Sequence, residues 1–395
     1  MKRQLILIFL IIIAFTINTI SQELEISGYY ENQLFPQELN DKVIFQDYNK
    51  LRIDLSAEAG ENVTFNSDYI YRLYHGAVDF NLLDFIPESV VIQYAKQRQI
   101  SVDSIRPAFD FKLADENFLD NAYVTIYSEH VNIRIGKQQL PWGSGYAWNP
   151  TDIFNAKNLL DPAYEKVGVN AFKLEIPFGK EGMLTGVVCI DDEWETSTKA
   201  VKVKNHLRGY DLSVSSVEKT QTSFDYINFL SLSEKRRLWG GDFSGEMLGL
   251  GVWAEGAYNI MEISEDFGQY LVGTDYTFEN GLYFMGEYYR NGLGKSEKDE
   301  YDFNDWLRLL SSKGENLGQD YIYAGEMYPV TELLSWSNYL ILNINDKSGM
   351  LFPWFDYSLN DNTEIILVGY IPFGENRTEF GEFGRGGFVR VRVYF

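Results

Sequence analysis

Three histidines occur in the chain, His75, His130 and His206, and none stands at metal-ligand spacing from another histidine or from a carboxylate cluster. Ser128 and His130 are near enough in sequence to suggest a nucleophile and its base, but a turn residue followed by a strand start accounts for both. There is no G-x-S-x-G elbow, no phosphate-binding P-loop and no G-x-G-x-x-G after a strand, and Gly143-Ser144-Gly145 is too short to stand for any of them. A single cysteine, Cys189, excludes an internal disulfide framework and a cysteine-rich metal site. The expectation is a protein that is not an enzyme and that holds no cofactor and no metal.

What remains is the chemistry of charges placed along one face of a strand. From Lys50 to Ala59, residues Leu51, Ile53, Leu55, Ala57 and Ala59 share one face, and Lys50, Arg52, Asp54, Ser56 and Glu58 share the other. A turn at Gly60-Glu61-Asn62 returns the chain through Val63 to Tyr74. Similar hairpins are expected at 121–138, 171–190 and 269–289. Tight turns fall between the two arms of each, and longer polar segments, near 75–117, 140–167, 193–206, 292–318 and 373–385, fall on the other side. This pattern predicts an all-β chain forming a single transmembrane, antiparallel, up-and-down β-barrel. Alternation places about 18 strands, with 16 as the alternative, and either even number puts both termini at one rim.

Composition fits such a barrel. Aromatic residues make up 16% of the chain, which suits girdles at both membrane interfaces. After the N-terminal segment, no window is apolar for the roughly 20 residues a spanning helix needs. That segment, Met1-Lys2-Arg3 followed by an apolar run from Leu5 to Phe15 and then Thr19-Ile20-Ser21, reads as a secretory signal peptide over 1–21, leaving 22–395 as the barrel. The expected location is the outer membrane of a Gram-negative cell. The net charge of −23 argues against nucleic acid as a partner. Acidic runs such as Glu297 to Asp302 read as solvated loop surface, with divalent bridging to lipopolysaccharide as the alternative.

At the C-terminus, Val389, Val391, Val393 and Phe395 alternate with Arg390, Arg392 and Tyr394. An apolar lipid face beside a polar inner face explains the pattern, and a last strand closing on the first removes open edges. A chain ending in Phe395 in this register resembles the signal read by the barrel-assembly machinery. The same register turns Arg52, Asp54, Glu58, Arg72, Arg134, Lys173, Glu255, Asp275, Glu287, Arg390 and Arg392 inward as pore-lining residues, together with Lys50, Asp68 and Asp242. Arg390 and Arg392 should lie beside the first strand as a basic strip, either setting a transverse field for a passing solute or closing a ladder of ion pairs.

The densest run of glycine, proline and aromatic residues is Gly136 to Asp152. Here the chain resembles a group of porin-like outer-membrane proteins, mostly uncharacterised, with a G-[RK]-Q-x-x-x-W-G motif followed by N-P-x-D. Gly136, Lys137, Gln138, Trp142, Gly143, Asn149, Pro150 and Asp152 match it. The resemblance implies a barrel with a channel or export role. Pro141 and Pro150 should stiffen the segment, and Trp142, Tyr146 and Trp148 should pack it against the inner wall as a constriction loop that includes Asn149 and Asp152. Two functions follow as expectations. The first is diffusion of small hydrophilic solutes through an open barrel in outer-membrane lipid and lipopolysaccharide. The second is a loop-plugged barrel serving export or surface assembly of a polymer. The oligomeric state is not legible.

Overall fold

The computed structural model describes residues 24–39, 42–155, 167–225, 230–310 and 316–395. The expected signal peptide lies outside the described residues. The first strands are β1 (Leu24–Leu39), β2 (Lys42–Glu58) and β3 (Val63–Gly76), and a loop hairpin follows from β4 (Asp79–Asn81) and β5 (Asp110–Lys112). Next come β6 (Glu116–Tyr127), β7 (Asn132–Gln138), β8 (Val169–Phe178), β9 (Gly182–Cys189), β10 (Thr198–Leu207), β11 (Tyr210–Asp225), β12 (Leu230–Met247) and β13 (Leu250–Met261). The series ends with β14 (Phe267–Thr277), β15 (Tyr283–Asn291), β16 (Asp320–Pro329), β17 (Leu334–Asn343), β18 (Ser348–Asn360), β19 (Thr363–Phe373) and β20 (Gly386–Tyr394). All except β4 and β5 join one antiparallel sheet of 18 strands.

The sheet closes on itself because β1 pairs with β2 on one side and with β20 on the other, with Glu31 opposite Arg392 and Gln33 opposite Arg390. Closure satisfies the edge groups that hydrocarbon cannot solvate. The outer wall is apolar and exposed: Ile26, Val43, Val214, Trp239 and Val272 are each more than half accessible. Such a surface is costly in water and suited to lipid.

The strand count agrees with the sequence expectation, but two errors cancel within it. The segment 193–206, expected as a long loop, contains β10. Alternation over 222–233 also predicts a separate strand, but 222–225 end β11 and 230–233 begin β12. Short connections sit at one end, the turn rim, where Arg208-Gly209 and Leu248-Gly249 carry the positive φ that tight hairpins require. Long connections gather at the opposite loop rim.

Those long connections are not simply polar. The 77–115 segment carries α1 (Glu88–Arg98) and α2 (Val102–Ile105), and the 292–319 segment carries α3 (Phe303–Leu310). Tyr94 of α1 stacks on Phe303 at 4.0 Å, Phe109 meets Phe303 edge-on at 5.7 Å, and Trp306 is fully buried among them. The carboxylate run ending at Asp302 has structural work here, since Asp302 accepts the backbone N–H of Asp305 at the start of α3. The result is an apolar cap over the mouth of the barrel.

Candidate functional site: an infolded loop beside a charged chamber

Residues 139–155 fold into the barrel and lie along its wall from β7 to β16. Leu140 and Trp142 pack on Ala171, Val187, Ala200 and Leu238. Further on, Trp148 stacks on Tyr289 at 4.8 Å and 14° and packs at 5.7 Å against Tyr321. Between these anchors, two wall carboxylates hold the loop backbone. Glu255 accepts the N–H of Ser144 (2.8 Å) and Thr151 (2.6 Å), the Thr151 hydroxyl (2.8 Å) and, at 3.4 Å, the N–H of Gly145. Glu287 accepts the N–H of Tyr146 (2.9 Å), Ala147 (3.1 Å) and Trp148 (3.3 Å) and the Trp253 indole (2.8 Å). A buried carboxylate filled by N–H donors is strongly held.

The motif residues build this loop. Gly136 has φ +127 and a Cβ there would run into the Ala122 carbonyl. Gly143 has φ +88 and a Cβ would come within 2.6 Å of Glu255 Oε2, so only glycine fits. Gln138 is fully buried and donates to the Ala171 carbonyl. Asp152 accepts the N–H of Phe154 (3.2 Å) and Asn155 (3.1 Å), and Asn155 reaches back to the Leu140 carbonyl at 2.8 Å. Trp142 packs edge-on against Phe154 at 5.1 Å, the Asn149 Oδ1 is buried beside Gly143, and Tyr146 stays half exposed to the interior. Gly143→Ala should therefore displace the loop, which loss of hydrogen-exchange protection at Ser144 and Thr151 would report.

Opposite the loop, β1, β2, β3, β6 and β20 wall a chamber of about 360 Å³. Its charged lining is mixed: Lys50, Arg72 and Arg390 face Glu31, Asp47, Glu116 and Asp120. Arg392 donates to Glu31 Oε2 at 2.6 Å through Nε and lies 3.3 Å from Glu364. Arg390 donates to Gln33 at 2.8 Å and lies 3.6 Å from Glu31. Tyr48 donates to Glu31 at 2.7 Å, and Arg72 pairs with Glu116 at 2.9 Å. The expected basic strip of Arg390 and Arg392 is thus neutralised by Glu31 and Glu364, two acids on the neighbouring strands that the inward count had omitted. Phe35 and Tyr370 separate this chamber from an apolar cavity of about 260 Å³ under Leu82, Phe85 and Phe383 of the cap.

The other anticipated pore-lining residues are scattered. Arg52 pairs with Asp54 (2.6 Å) and Asp68 (2.9 Å) and lies 3.7 Å from Asp120, which a register shift opposite Asp68 leaves outside the strand pairing. Arg134 donates to Thr125, Lys173 pairs with Glu175, and Glu58 is exposed at the turn rim. Asp275 accepts the Tyr283 hydroxyl at 2.8 Å in a second chamber. Glu255 and Glu287 face inward but lie beneath the loop, so they anchor it and do not line free space. Phe395 sits on the outer face, exchanging backbone hydrogen bonds with Gly28. Ser128 accepts the N–H of His130 and Val131, as a turn serine does. Among the described residues no group of three His, Cys, Asp or Glu side chains is arranged to hold a metal.

No known family and no curated protein matches the chain. Among solved structures, OccAB1 of Acinetobacter baumannii superposes with a TM-score of 0.58 at 8% identity, over 94% of this chain and 96% of that one. A triple mutant of the Rhodopseudomonas blastica porin gives 0.47 at 12% identity, over 94% and 100%. OmpT, an outer membrane protein of Vibrio cholerae, gives 0.45 at 8%, over 95% and 100%. At these identities the likeness to OccAB1 is one of fold.

Proposed function

We propose that the chain is an outer-membrane, porin-like channel through which small hydrophilic solutes diffuse, without covalent chemistry. The supporting observation is the division of the interior. The infolded loop occupies the β8–β16 side, so a passing solute is directed to the charged chamber of β1, β2, β3, β6 and β20. There, bases and acids face one another across a narrow space, and low-dielectric walls amplify their field. The apolar outer wall supports residence in outer-membrane lipid and lipopolysaccharide. Phe395, closing the last strand against β1, is the feature that barrel-assembly machinery would read.

Selectivity tests this assignment. Because Glu31 lies within ion-pair distance of both Arg390 and Arg392, Arg390→Ala/Arg392→Ala leaves an uncompensated acid in the chamber. The reversal potential under a salt gradient should then move toward cation preference, and Glu31→Gln should move it toward anion preference. A reversal potential that ignores both variants contradicts a path through this chamber.

The apolar cap favours a second reading, a loop-plugged barrel in export or surface assembly of a polymer. A correctly folded barrel without conductance, which conducts once 77–115 and 292–319 are shortened, would favour that reading.

A further inference from the structure

The interior is divided by charge as well as by the loop. The inward positions of β13–β19 carry Glu255, Asp275, Glu287, Asp356 and Glu364 and not one lysine, arginine or histidine. The inward bases all lie on the remaining strands. Glu255 and Glu287 are taken up by the loop, and Glu364 faces Arg392. Asp275 has no ion-pair partner among the described residues and stands at the edge of a second chamber, of about 770 Å³, that opens toward the turn rim.

The walls of that chamber are aromatic. The Tyr323 and Tyr339 rings lie nearly parallel, 6° apart with centroids at 6.0 Å. The Trp354 ring stands at 90° to Tyr339, 6.4 Å away, so the faces form a corner. Tyr283 donates to Asp275, and the Tyr146 hydroxyl of the infolded loop lies 3.3 Å from that of Tyr283.

We propose that this chamber binds small organic cations, alkylated ammonium groups on an apolar body. Ring faces carry negative quadrupole charge, and perpendicular faces beside a carboxylate solvate a cation that cannot itself donate hydrogen bonds. The net charge of −23 raises the local concentration of such ligands. A sugar is less well served, because its ring of hydroxyls needs many free donors and acceptors, whereas most of this lining is apolar and the Tyr146, Tyr283 and Asp275 oxygens are already bonded to one another. The inference goes beyond the channel reading, because this chamber shares no lining residue with the path proposed along β1, β2, β3, β6 and β20. Equilibrium binding needs no conduction, so each can fail without the other.

Calorimetry on the refolded protein in uncharged detergent at low salt, with phenyltrimethylammonium as probe, provides the test. Binding should exceed that of neutral benzyl alcohol by about ten-fold and weaken about five-fold in Asp275→Asn and again in Trp354→Leu. Each variant must keep the far-UV circular dichroism and heat-modifiable migration of the wild-type barrel, and Glu58→Gln, exposed at the turn rim and outside the chamber lining, should bind as wild type does. Equal binding of benzyl alcohol, stronger binding of maltose, no heat with any probe, or indifference to both Asp275→Asn and Trp354→Leu would overturn the proposal.

Discussion

Replacing Glu255 and Glu287 together by alanine should release the 139–155 loop and raise single-channel conductance well above wild type. Each carboxylate gathers four donors, three of them loop backbone N–H groups. A hydrogen bond to a charged group contributes about 1.5–3 kcal/mol. With a strong discount for sharing and for water that re-solvates the freed amides, docking still loses on the order of 5 kcal/mol. The Trp148 stack on Tyr289 would remain as one anchor, so conductance should fluctuate between docked and released levels. Adding Trp148→Ala should make the higher level permanent. Unchanged conductance with unchanged exchange protection across 143–151 would mean that apolar contacts alone hold the loop.

The second large effect concerns pH and the cap. Glu379, in the 374–385 connection, is fully buried. Its Oε2 accepts from Tyr321 (2.5 Å) and Asn343 (2.7 Å), and its Oε1 accepts from Asn316 (3.0 Å) and the Leu317 N–H (3.2 Å). Its own N–H donates to Asp346 at 2.7 Å. Trp148 also donates to Asn316, so the cluster ties the infolded loop to the loop-rim segments. Burial first, and the nearby Asp346 carboxylate second, push the Glu379 pKa up to about 7 against the pull of its donors. When the segments separate, the carboxyl returns to its ordinary value near 4.5.

The docked state therefore binds the proton more tightly. Docking is firmest below pH 4.5, weakens as pH rises through the interval up to about 7, and levels off above it. The total is about 3 kcal/mol. Exchange protection at the Leu317 and Glu379 amides should be markedly greater at pH 5 than at pH 8 after correction for the intrinsic exchange rate. Glu379→Gln, which keeps the shape and cannot ionise, should remove the difference. Equal protection at both pH values in wild type would contradict a titrating carboxyl at this junction.

Much of the barrel was legible because alternation is strict wherever one face meets lipid. The final strand is the clearest case: Val389, Val391, Val393 and Phe395 face outward, as their order in the sequence dictates. β10 was missed although Val201 and Val203 alternate with Lys202 and Lys204, because the lysines read as solvated loop. They are inward residues balanced across the wall, Lys202 by Asp242 at 2.9 Å and Lys204 by Asp211 at 2.8 Å. Such compensation depends on which strands become neighbours, and that is not written in any one strand.

The site was legible in the same partial way. The glycine-, proline- and aromatic-rich run marked the infolded loop. The roles of Glu255 and Glu287 as its anchors were hidden, because more than 100 residues separate each from Ser144 or Tyr146 in sequence. Glu31 was overlooked although closure places it opposite Arg392. Asp120 escaped because a register shift interrupts the alternation that would have marked it. The cap did leave a signal: Ile86, Val90 and Tyr94 recur at helical spacing inside a stretch assigned to polar loop.

Passage of solute through the charged chamber beside the loop can be tested by blocking that chamber while current flows. Gln46 lines it and is not completely buried, so Gln46→Cys in a Cys189→Ser background can be exposed to a charged methanethiosulfonate during planar-bilayer recording. Conductance steps should be stable and fall abruptly and irreversibly on modification, with the Cys189→Ser parent unaffected. A conductance that persists unchanged after the thiol is shown by mass spectrometry to be fully modified would contradict passage through this chamber.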